Sequence, residues 1–375
     1  MPLPLPIRLL ALVYALDVLK VIRGKTLKLD VKYKLVKGRG FGIFHTLVDK
    51  KGQKLDVFVD TGSGAFFLIW KDWFERATGY PCSACPMGCY KCSKRCSVGS
   101  VTRTINFADG FTVSVFPHQA KLTVGQVSQT LTFGLIFNQT PAVTEEIPLN
   151  LMGIGYDRGL VNFPSLMTQL RSSHTITTDI IALYLYPSAD PEEVTADGGL
   201  LLGGGDSELY EGALKYVEFS RDREYTVNIN KLQVGDGHIF PGINVDAILD
   251  TGTNLMYAPG LYYDRLIENI KAQTNEAAGT QVDFKYDRET WVFPCQYMTK
   301  LPLLQFGLGP QGMTPFSMTY MHYARRFPPT VCRLVIMKGR WSEWIFPDRM
   351  LINNYFQFDP TSKRVGIGKL RPRFP

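Results

Sequence analysis

Residues 56–70 read DVFVDTGSGAFFLIW. An apolar run ends at Asp60, the short sequence Thr-Gly-Ser-Gly follows, and apolar residues then resume. Placing a carboxylate at the end of a hydrophobic strand costs free energy unless a neighbouring group compensates it. The stretch therefore predicts that Asp60 faces a specific partner.

A second copy of this pattern lies half a chain away. Residues 245–258, VDAILDTGTNLMYA, repeat the order of apolar strand, Asp-Thr-Gly and apolar residues, with Asp250 in the place of Asp60. One such turn recurs by chance, but two with matching strands indicate an internal repeat. A further echo follows each copy, LNLMGIG at 149–155 and RMLINNYF at 349–356. Each half of the chain is therefore predicted to form one β lobe carrying one turn.

The remaining sequence is typical of a mostly β protein. Short apolar runs rich in Val, Ile, Phe and Tyr alternate with Gly and Pro. Helices are predicted over 163–170, over 259–273 with Leu266 and Ile270 on one face, and as a single turn at 71–74. A length of 375 residues with 45% hydrophobic and 20% charged residues allows a sizeable core and excludes global disorder.

The net charge of +7 is concentrated in residues 20–54 and in the C-terminal tail. Because no nucleic-acid-binding module accompanies this charge, we expect no nucleic-acid partner. Because no apolar run is long enough to span a bilayer, we expect no stable membrane insertion. We also expect the protein to be a monomer.

The seven cysteines are unevenly distributed. In an oxidising compartment, the isolated Cys295 and Cys332 are expected to pair as one disulfide. The other five are expected to form two local disulfides with one thiol left over, and two CxxC pairs that bind zinc are the alternative. These five are Cys82, Cys85, Cys89, Cys92 and Cys96.

Two lobes related by a pseudo-twofold axis would bring Asp60 and Asp250 face to face. Carboxylates about 3 Å apart cannot both ionise easily, so such a pair shares one proton. The ionised carboxylate accepts a proton from water while the protonated one supports a carbonyl oxygen. This chemistry suits hydrolysis of an unactivated amide, so we expect neither a cofactor nor a metal.

Residues beside the two aspartates are expected to support them. The glycines permit the tight turns, the threonines that follow each aspartate hold the two turns together, and the next hydroxyls hydrogen-bond the carboxylates. These six residues are Thr61, Gly62, Ser63, Thr251, Gly252 and Thr253.

From about residue 41 onward, the chain resembles the pepsin-like aspartic protease family. The resemblance rests on QKLDVFVDTGS, INFADGF, LTVG…TFGL, LMGIG, GGLLLGGGDSELYEGALKYVEFS and YTVNINKLQVG…AILDTGTNLMYAP. It implies an all-β, bilobal acid-protease fold of two pseudo-twofold-related β-barrel-like lobes with a few short helices. It also implies an aspartic endopeptidase that cleaves peptides or proteins between bulky apolar residues and is inhibited by pepstatin-like peptides. The implied setting is secreted or the endolysosomal or vacuolar lumen.

The resemblance also assigns further residues, and the chain departs from the family at some of them. It implies the Cys295–Cys332 disulfide and a substrate-binding flap formed by Phe107, Ala108, Asp109 and Gly110. Phe107 replaces the usual Tyr, Gly64 replaces the usual Ser, Phe67 replaces the usual Trp, and LINN stands in place of Ile-Leu-Gly-Asp. These departures motivate an alternative, a catalytically weak or inactive pepsin-like protein that binds peptides or a protein partner.

The N-terminus has the pattern of a secretory signal, with Arg8 preceding the apolar run 9–16. The alternative is that this run is a buried element of the mature protein. The predicted organisation is residues 1–15 as signal peptide, 16–40 as a basic segment and candidate short propeptide, 41–186 as the N-lobe and 187–375 as the C-lobe.

Overall fold

The computed structural model describes residues 25–94, 96–188, 194–240, 242–327 and 331–373. The predicted signal peptide, residues 1–15, lies outside the described residues, and the basic segment is described only from residue 25. Within the described residues, twenty-five strands form three sheets and are accompanied by four α-helices and five 3₁₀ helices.

The strands are β1 Leu27–Val36, β2 Gly40–Asp49, β3 Lys54–Asp60, β4 Phe66–Ile69, β5 Arg103–Asn106, β6 Thr112–Val124, β7 Val127–Thr140, β8 Leu151–Gly153, β9 Ile181–Pro187, β10 Ala196–Leu202, β11 Lys215–Glu218, β12 Thr226–Val234, β13 His238–Ile239, β14 Val245–Leu249, β15 Met256–Pro259, β16 Lys285–Asp287, β17 Thr290–Pro294, β18 Leu304–Leu308, β19 Thr314–Met318, β20 Ala324–Phe327, β21 Val331–Leu334, β22 Ile336–Gly339, β23 Trp344–Phe346, β24 Asn354–Asp359 and β25 Arg364–Lys369. The α-helices are α1 Lys71–Thr78, α2 Leu166–Ser172, α3 Gly260–Ala278 and α4 Tyr320–Tyr323. The 3₁₀ helices are Cys82–Ala84, Ser207–Leu209, Cys295–Lys300, Pro310–Gly312 and Asp348–Leu351.

β1 illustrates how this sequence forms its sheets. Its residues, LKLDVKYKLV, mostly alternate between buried apolar and exposed charged side chains, the period of two required by a sheet with one solvent face. β1 pairs with β10 on one side and with β2 on the other, so this part of the basic segment is an internal strand. The predicted boundary after residue 40 falls at the start of β2, and the division into lobes remains a prediction.

The first half of the chain closes into a barrel. β2 pairs with β3, and the pairing continues through β8, β4, β7 and β6 before β6 returns to β2. β3 and β8 run parallel, β4 runs antiparallel to β8, and β4 is parallel to β7. Closure removes the free edges that an open sheet would expose. Residues 56–70, which include parts of β3 and β4, therefore lie within a closed barrel.

The second half repeats the same strand arrangement. β14 and β23 run parallel, β15 runs antiparallel to β23, and β15 is parallel to β22. The internal repeat predicted from the two Asp-Thr-Gly copies is therefore present as two equivalent sets of strands. The eight-stranded sheet that contains this set follows the order β19-β18-β12-β14-β23-β15-β22, with β13 paired to β12. Strands β16, β17, β21 and β20 form a separate four-stranded sheet.

The predicted second echo at residues 349–356 was wrong. The structural counterpart of β8 is β23, because each is the parallel partner of a strand that leads into an Asp-Thr-Gly turn. The segment that corresponds to the Ile-Leu-Gly-Asp motif is therefore residues 344–348, WIFPD, and not LINN. Parallel pairing joins residues far apart in sequence, so a short apolar run did not reveal its partner.

Six further strands extend the sheet of the first barrel. They follow the order β11-β25-β24-β9-β10-β1 and continue into the first barrel through β2. Strands from the beginning, the middle and the end of the chain thus lie side by side. Among the described residues, no helix combines the length and apolar character needed to cross a membrane.

The predicted helices are present with shifted ends. The candidate at 163–170 forms α2, where the Ser165 hydroxyl caps the helix by accepting a hydrogen bond from Thr168 N–H at 3.3 Å. The candidate at 259–273 forms α3, and its Leu266 and Ile270 are buried. The predicted single turn at 71–74 is the first half of the longer helix α1.

The cysteines form three disulfides, Cys82–Cys89, Cys92–Cys96 and Cys295–Cys332. The clustered cysteines follow the interpretation of two local bridges with one thiol left over rather than the zinc alternative. The remaining thiol is Cys85, which is buried. The Cys295–Cys332 bridge links the start of a 3₁₀ helix to β21.

Candidate active site

Both aspartates stand where a strand delivers them to the centre of the molecule. Asp60 is the last residue of β3, and it pairs with Gly153 on β8. Asp250 follows β14 directly, and its N–H donates to Phe346 O on β23 at 3.0 Å. The parallel partners therefore fix the backbone of each aspartate in the same way in both lobes.

Two threonines lock the turns to one another across the lobes. Thr61 N–H donates to the Thr251 hydroxyl at 3.1 Å, and Thr251 N–H donates to the Thr61 hydroxyl at 2.9 Å. Each hydroxyl also donates to a carbonyl of the opposite lobe, Thr61 to Leu249 at 2.8 Å and Thr251 to Val59 at 2.9 Å. Both threonines are buried, so water does not compete for these four hydrogen bonds.

The two carboxyl groups lie close together, since a Cβ on Gly252 would be 2.5 Å from Asp60 Oδ1 and 2.9 Å from Asp250 Oδ1. Each carboxylate also accepts a hydrogen bond within its own turn, from Gly62 N–H to Asp60 and from Gly252 N–H to Asp250, both at 2.7 Å. A Cβ on Gly62 would lie 2.6 Å from Asp250 Oδ1, and a Cβ on Gly252 would lie 2.5 Å from Asp60 Oδ1. These positions therefore need glycine because the opposite carboxyl approaches closely.

Burial dominates the ionisation of the pair. It raises the pKa of Asp60 well above its usual range, and the charge of Asp250 raises this pKa further. Burial also raises the pKa of Asp250, and this rise is opposed mainly by the Gly252 N–H and then by the hydrogen bond from Asp60. The Arg158 guanidinium also lowers the pKa of Asp250. The two groups titrate together, and this arrangement favours a state in which they hold one proton between them.

The next hydroxyl in each turn contacts the backbone of its own turn. The Ser63 hydroxyl accepts from Ala65 N–H at 3.1 Å, and the Ser63 backbone N–H hydrogen-bonds the Asp60 carboxyl. The Thr253 hydroxyl donates to Leu255 O at 3.5 Å. That these hydroxyls also bind the carboxylates stays a prediction.

The structure explains why residue 64 is glycine where the family resemblance implies serine. A Cβ at this position would lie 2.5 Å from Tyr156 O and 3.1 Å from Asp157 Cα. The segment after β8 thus packs directly on the turn after Asp60. The Tyr156 ring is also tilted against the ring of Tyr225 of the second lobe, with ring centroids 5.0 Å apart. The close packing of residues 156 and 157 on the turn, within the first lobe, takes the space that a serine side chain would need.

The predicted flap residues form the tip of the β5–β6 hairpin. Phe107 N–H donates to Phe111 O at 2.8 Å, and Ala108, Asp109 and Gly110 are exposed. The half-buried Phe107 ring meets Phe67 edge-on at 6.3 Å between centroids. Neither ring carries a hydrogen-bonding group, so the contact between them is packing alone.

One buried acid near the site was missed by sequence reasoning. Asp348 is fully buried, and its N–H donates to Thr253 O in the second turn at 3.0 Å. Burial raises the pKa of Asp348 to about 7, although Arg325 and Arg349 lower it. Tyr33 on β1 accepts hydrogen bonds from both arginines, at 2.7 and 3.5 Å. The available signal was the WIFPD segment, which ends in Asp as the Ile-Leu-Gly-Asp motif does.

Comparison with known proteins gives an independent finding. A family model described as eukaryotic aspartyl protease matches residues 46–370 of this chain. The matched region includes both Asp-Thr-Gly turns and the flap hairpin. It therefore covers the whole set of residues that the geometry brings together around Asp60 and Asp250.

Individual relatives agree with the family model. Cathepsin D of Homo sapiens is 27% identical over 229 residues, which are 58% of this chain and 51% of that protein. Cathepsin D of Bos taurus is 26% identical over 272 residues, 69% of this chain and 65% of the relative. A protein named aspartic protease from Phaffia rhodozyma is 23% identical over 326 residues, 85% of this chain and 74% of the relative. The chain thus spans about half the length of the human relative that it matches.

Proposed function

The chain belongs to the eukaryotic aspartyl protease family, and from this premise we propose that it is an aspartic endopeptidase acting through Asp60 and Asp250. The observation that carries the proposal is the close approach of two carboxyl groups, the buried Asp60 and the half-buried Asp250, at equivalent turns. This contact keeps two acids in an environment that raises the pKa of both. A catalytically silent protein would not need such a contact.

The proposed mechanism is general acid–base catalysis by the shared proton. The ionised carboxylate, taken here as Asp250, accepts a proton from a water molecule, which attacks the peptide carbonyl carbon. The protonated carboxyl of Asp60 gives its proton to the carbonyl oxygen. The C–N bond then breaks as the nitrogen receives the proton held by Asp250 and a hydroxyl of the tetrahedral intermediate returns a proton to Asp60, so the dyad again holds one proton. We also propose that Thr61, Thr251 and the glycines at 62 and 252 support the two aspartates.

The proposed substrates are peptides or proteins cleaved between bulky apolar residues. The aromatic pair Phe107 and Phe67 supports this preference, since it places apolar rings between the flap and the β4 strand. We also propose a secreted protein or one in an endolysosomal or vacuolar lumen, because the three disulfides suit an oxidising compartment. A monomer without a nucleic-acid partner remains our expectation.

The test uses the whole chain and a fluorogenic peptide with a central pair of bulky apolar residues, between pH 3 and pH 7. Cleavage at that pair is expected, with loss of activity on addition of pepstatin. Asp60→Asn and Asp250→Asn are each expected to lower kcat more than about 100-fold, because each removes one partner of the acid–base pair. A folded protein without cleavage at any of these pH values would overturn the proposal. Pepstatin binding without cleavage would favour the peptide-binding alternative.

A further inference from the structure

The flap of this chain lacks polar groups at two positions that face each other. Phe107 at the tip and Phe67 on β4 contact each other only through their rings. Aromatic contacts of this kind fix a hairpin tip less specifically than a hydrogen bond does, because they have no donor–acceptor pair. The position of the flap therefore depends on other contacts as well.

A cation lies against the other side of the flap tip. Phe111 is buried, and the guanidinium carbon of Arg39 lies 4.4 Å from the centroid of its ring. Phe111 closes the tip, since its carbonyl accepts from Phe107 N–H and its own N–H donates to the Asp109 side chain at 2.9 Å. A contact that fixes the Phe111 ring therefore acts on the whole tip.

Arg39 is itself held firmly. Its guanidinium forms an ion pair with Glu146 and also donates to Ile147 O at 3.5 Å. The side chains of the pair are only 16% and 33% exposed, so solvent screens this ion pair less than a surface pair. Gly38, next to Arg39, has a φ of +79°, and a Cβ there would lie 2.4 Å from Ile147 Cδ1. The turn between β1 and β2 is thus packed tightly on the segment that carries Glu146.

The same turn also contacts the second lobe. Asn254, four residues after Asp250, donates from Nδ2 to Phe41 O at 3.2 Å. The guanidinium of Arg325 lies 4.2 Å from the centroid of the Phe41 ring. The turn that carries Arg39 is therefore fixed relative to the second Asp-Thr-Gly turn as well as to the first lobe.

We propose that Arg39 is a positioning residue that holds the flap over the dyad through its cation–π contact with Phe111. Arg39 takes over a role that hydrogen bonds from Phe107 and Phe67 cannot fill in this chain. The basic turn between β1 and β2 is then part of the working enzyme, and β1 must stay in place for the flap to be ordered. The effect on catalysis rests on the proposed function, whereas the effect on the flap does not.

The first test measures hydrogen exchange of residues 103–113 in the full chain without substrate. Arg39→Gln is expected to speed exchange of the protected tip amides by about 3- to 30-fold, the range that follows from a cation–π contact of ordinary strength. Arg39→Lys keeps the charge and is expected to fall between Arg39→Gln and the wild type. Lys37→Gln removes an exposed charge from the same turn and is expected to leave exchange unchanged.

A double-mutant cycle tests whether Arg39 acts through the Phe111 ring. Phe111→Leu keeps the apolar volume but removes the π face, so it is expected to loosen the flap as Arg39→Gln does. The double variant is expected to add little to either single change, because both remove the same contact. Additive effects, or unchanged exchange in Arg39→Gln, would overturn the proposal.

The kinetic test separates this inference from the proposed function. A flap that contacts the substrate before and during the reaction contributes uniform binding, so Arg39→Gln is expected to raise KM about 3- to 30-fold with little change in kcat. If the wild type cleaves no peptide but Arg39→Gln still loosens the flap, only the proposed function fails. If the wild type cleaves and the exchange and KM of Arg39→Gln are those of Lys37→Gln, only this inference fails.

Discussion

Gly64 lies against the carbonyl oxygen of Tyr156, so close that a Cβ on Gly64 would be 2.5 Å from that oxygen. The oxygen belongs to the backbone of the segment after β8, which also meets the second lobe through the Tyr156 and Tyr225 rings. The backbone of this segment therefore leaves no room for the side chain of the usual serine. Restoring the family residue at this position should damage this protein rather than improve it.

We predict that Gly64→Ser lowers the free energy of unfolding by about 1 to 3 kcal/mol, the usual cost of overpacking a buried site. Chemical denaturation of the purified variant measures this change. Gly99→Ser is the matched control, because nothing lies within 4 Å of a Cβ at Gly99. The control is expected to stay within about 0.5 kcal/mol of the wild type. Equal stability of the two variants would contradict the close approach of Tyr156.

The cross-lobe hydrogen bonds of Thr61 and Thr251 give a second prediction. Thr61→Val leaves the Leu249 carbonyl and the Thr251 N–H buried without their partner, and Thr251→Val does the same to Val59 O and Thr61 N–H. Each change is expected to cost about 1 to 3 kcal/mol of unfolding free energy. The double variant is expected to cost less than the sum, because the four hydrogen bonds form one network. Strictly additive losses in denaturation experiments would show that the two threonines act independently.

The central pair was predictable because the Asp-Thr-Gly pattern occurs twice in the sequence. Asp60 and Asp250 each follow an apolar strand and precede Thr-Gly, and the repeat alone predicted that they would meet. Helix signals are local, so they also predicted α2 and α3, with ends shifted by a few residues.

Other features depend on contacts between residues distant in sequence, and the sequence carried no signal for them. The partner of β14 was misplaced because residues 344–346 and 349–356 are both short apolar runs, and only the parallel pairing distinguishes them. The need for glycine at Gly62 comes from the carboxyl of Asp250, which is distant in sequence, rather than from the local turn. Arg39 is one of many basic residues near the N-terminus, and only the folded structure shows that it stacks on Phe111.

A disulfide that closes a longer loop should stabilise the protein more than one that closes a shorter loop. Cys295 and Cys332 are 37 residues apart, whereas Cys92 and Cys96 are 4 apart. In the chain-entropy model, replacing the first pair by alanine should cost about 4 kcal/mol and replacing the second about 2 kcal/mol. Denaturation of the two double variants in parallel tests this order. A larger loss for the short loop would show that local strain or packing outweighs chain entropy.

His322 should make the protein less stable in mild acid. Burial is the main cause that lowers its pKa from an ordinary value of 6.5 to about 4; hydrogen bonds to the backbone of Ile352 and Thr319 oppose this shift, and the charge of Arg349 contributes a smaller lowering. The unfolded chain therefore binds a proton at a higher pH than the folded one, so this contribution to stability is lost as the pH falls from about 6.5 to about 4. The loss is expected to be on the order of 3 kcal/mol.

The measurement for His322 is the free energy of unfolding at several pH values between 4 and 7. His322→Gln lowers stability at every pH because it disturbs the hydrogen bonds to Thr319 and Ile352, but it should flatten the dependence on pH. His174→Gln alters an exposed histidine and serves as the control. An unchanged slope in His322→Gln would mean that the buried imidazole is not the group that titrates.

The dyad should have the opposite pH dependence. Burial and then the charge of Asp250 raise the pKa of Asp60 above its ordinary value of 3.8, so between that value and the folded pKa the folded protein binds more protons than the unfolded chain. The stability contributed by the protonated Asp60 is therefore present below about pH 4 and is lost as the pH rises through the folded pKa. Asp60→Asn cannot ionise and should not show this loss.

We therefore predict that Asp60→Asn becomes more stable relative to the wild type as the pH rises above about 4, although it is the variant that loses activity. Unfolding free energies of both proteins from pH 3 to pH 7 measure the difference. Asp236→Asn removes an exposed carboxylate and should leave the difference from the wild type constant. Since the prediction requires only that two carboxyl groups share a buried site, it holds whether or not the protein cleaves a given peptide. A constant difference for Asp60→Asn as well would show that the two carboxyl groups are not coupled in the folded protein.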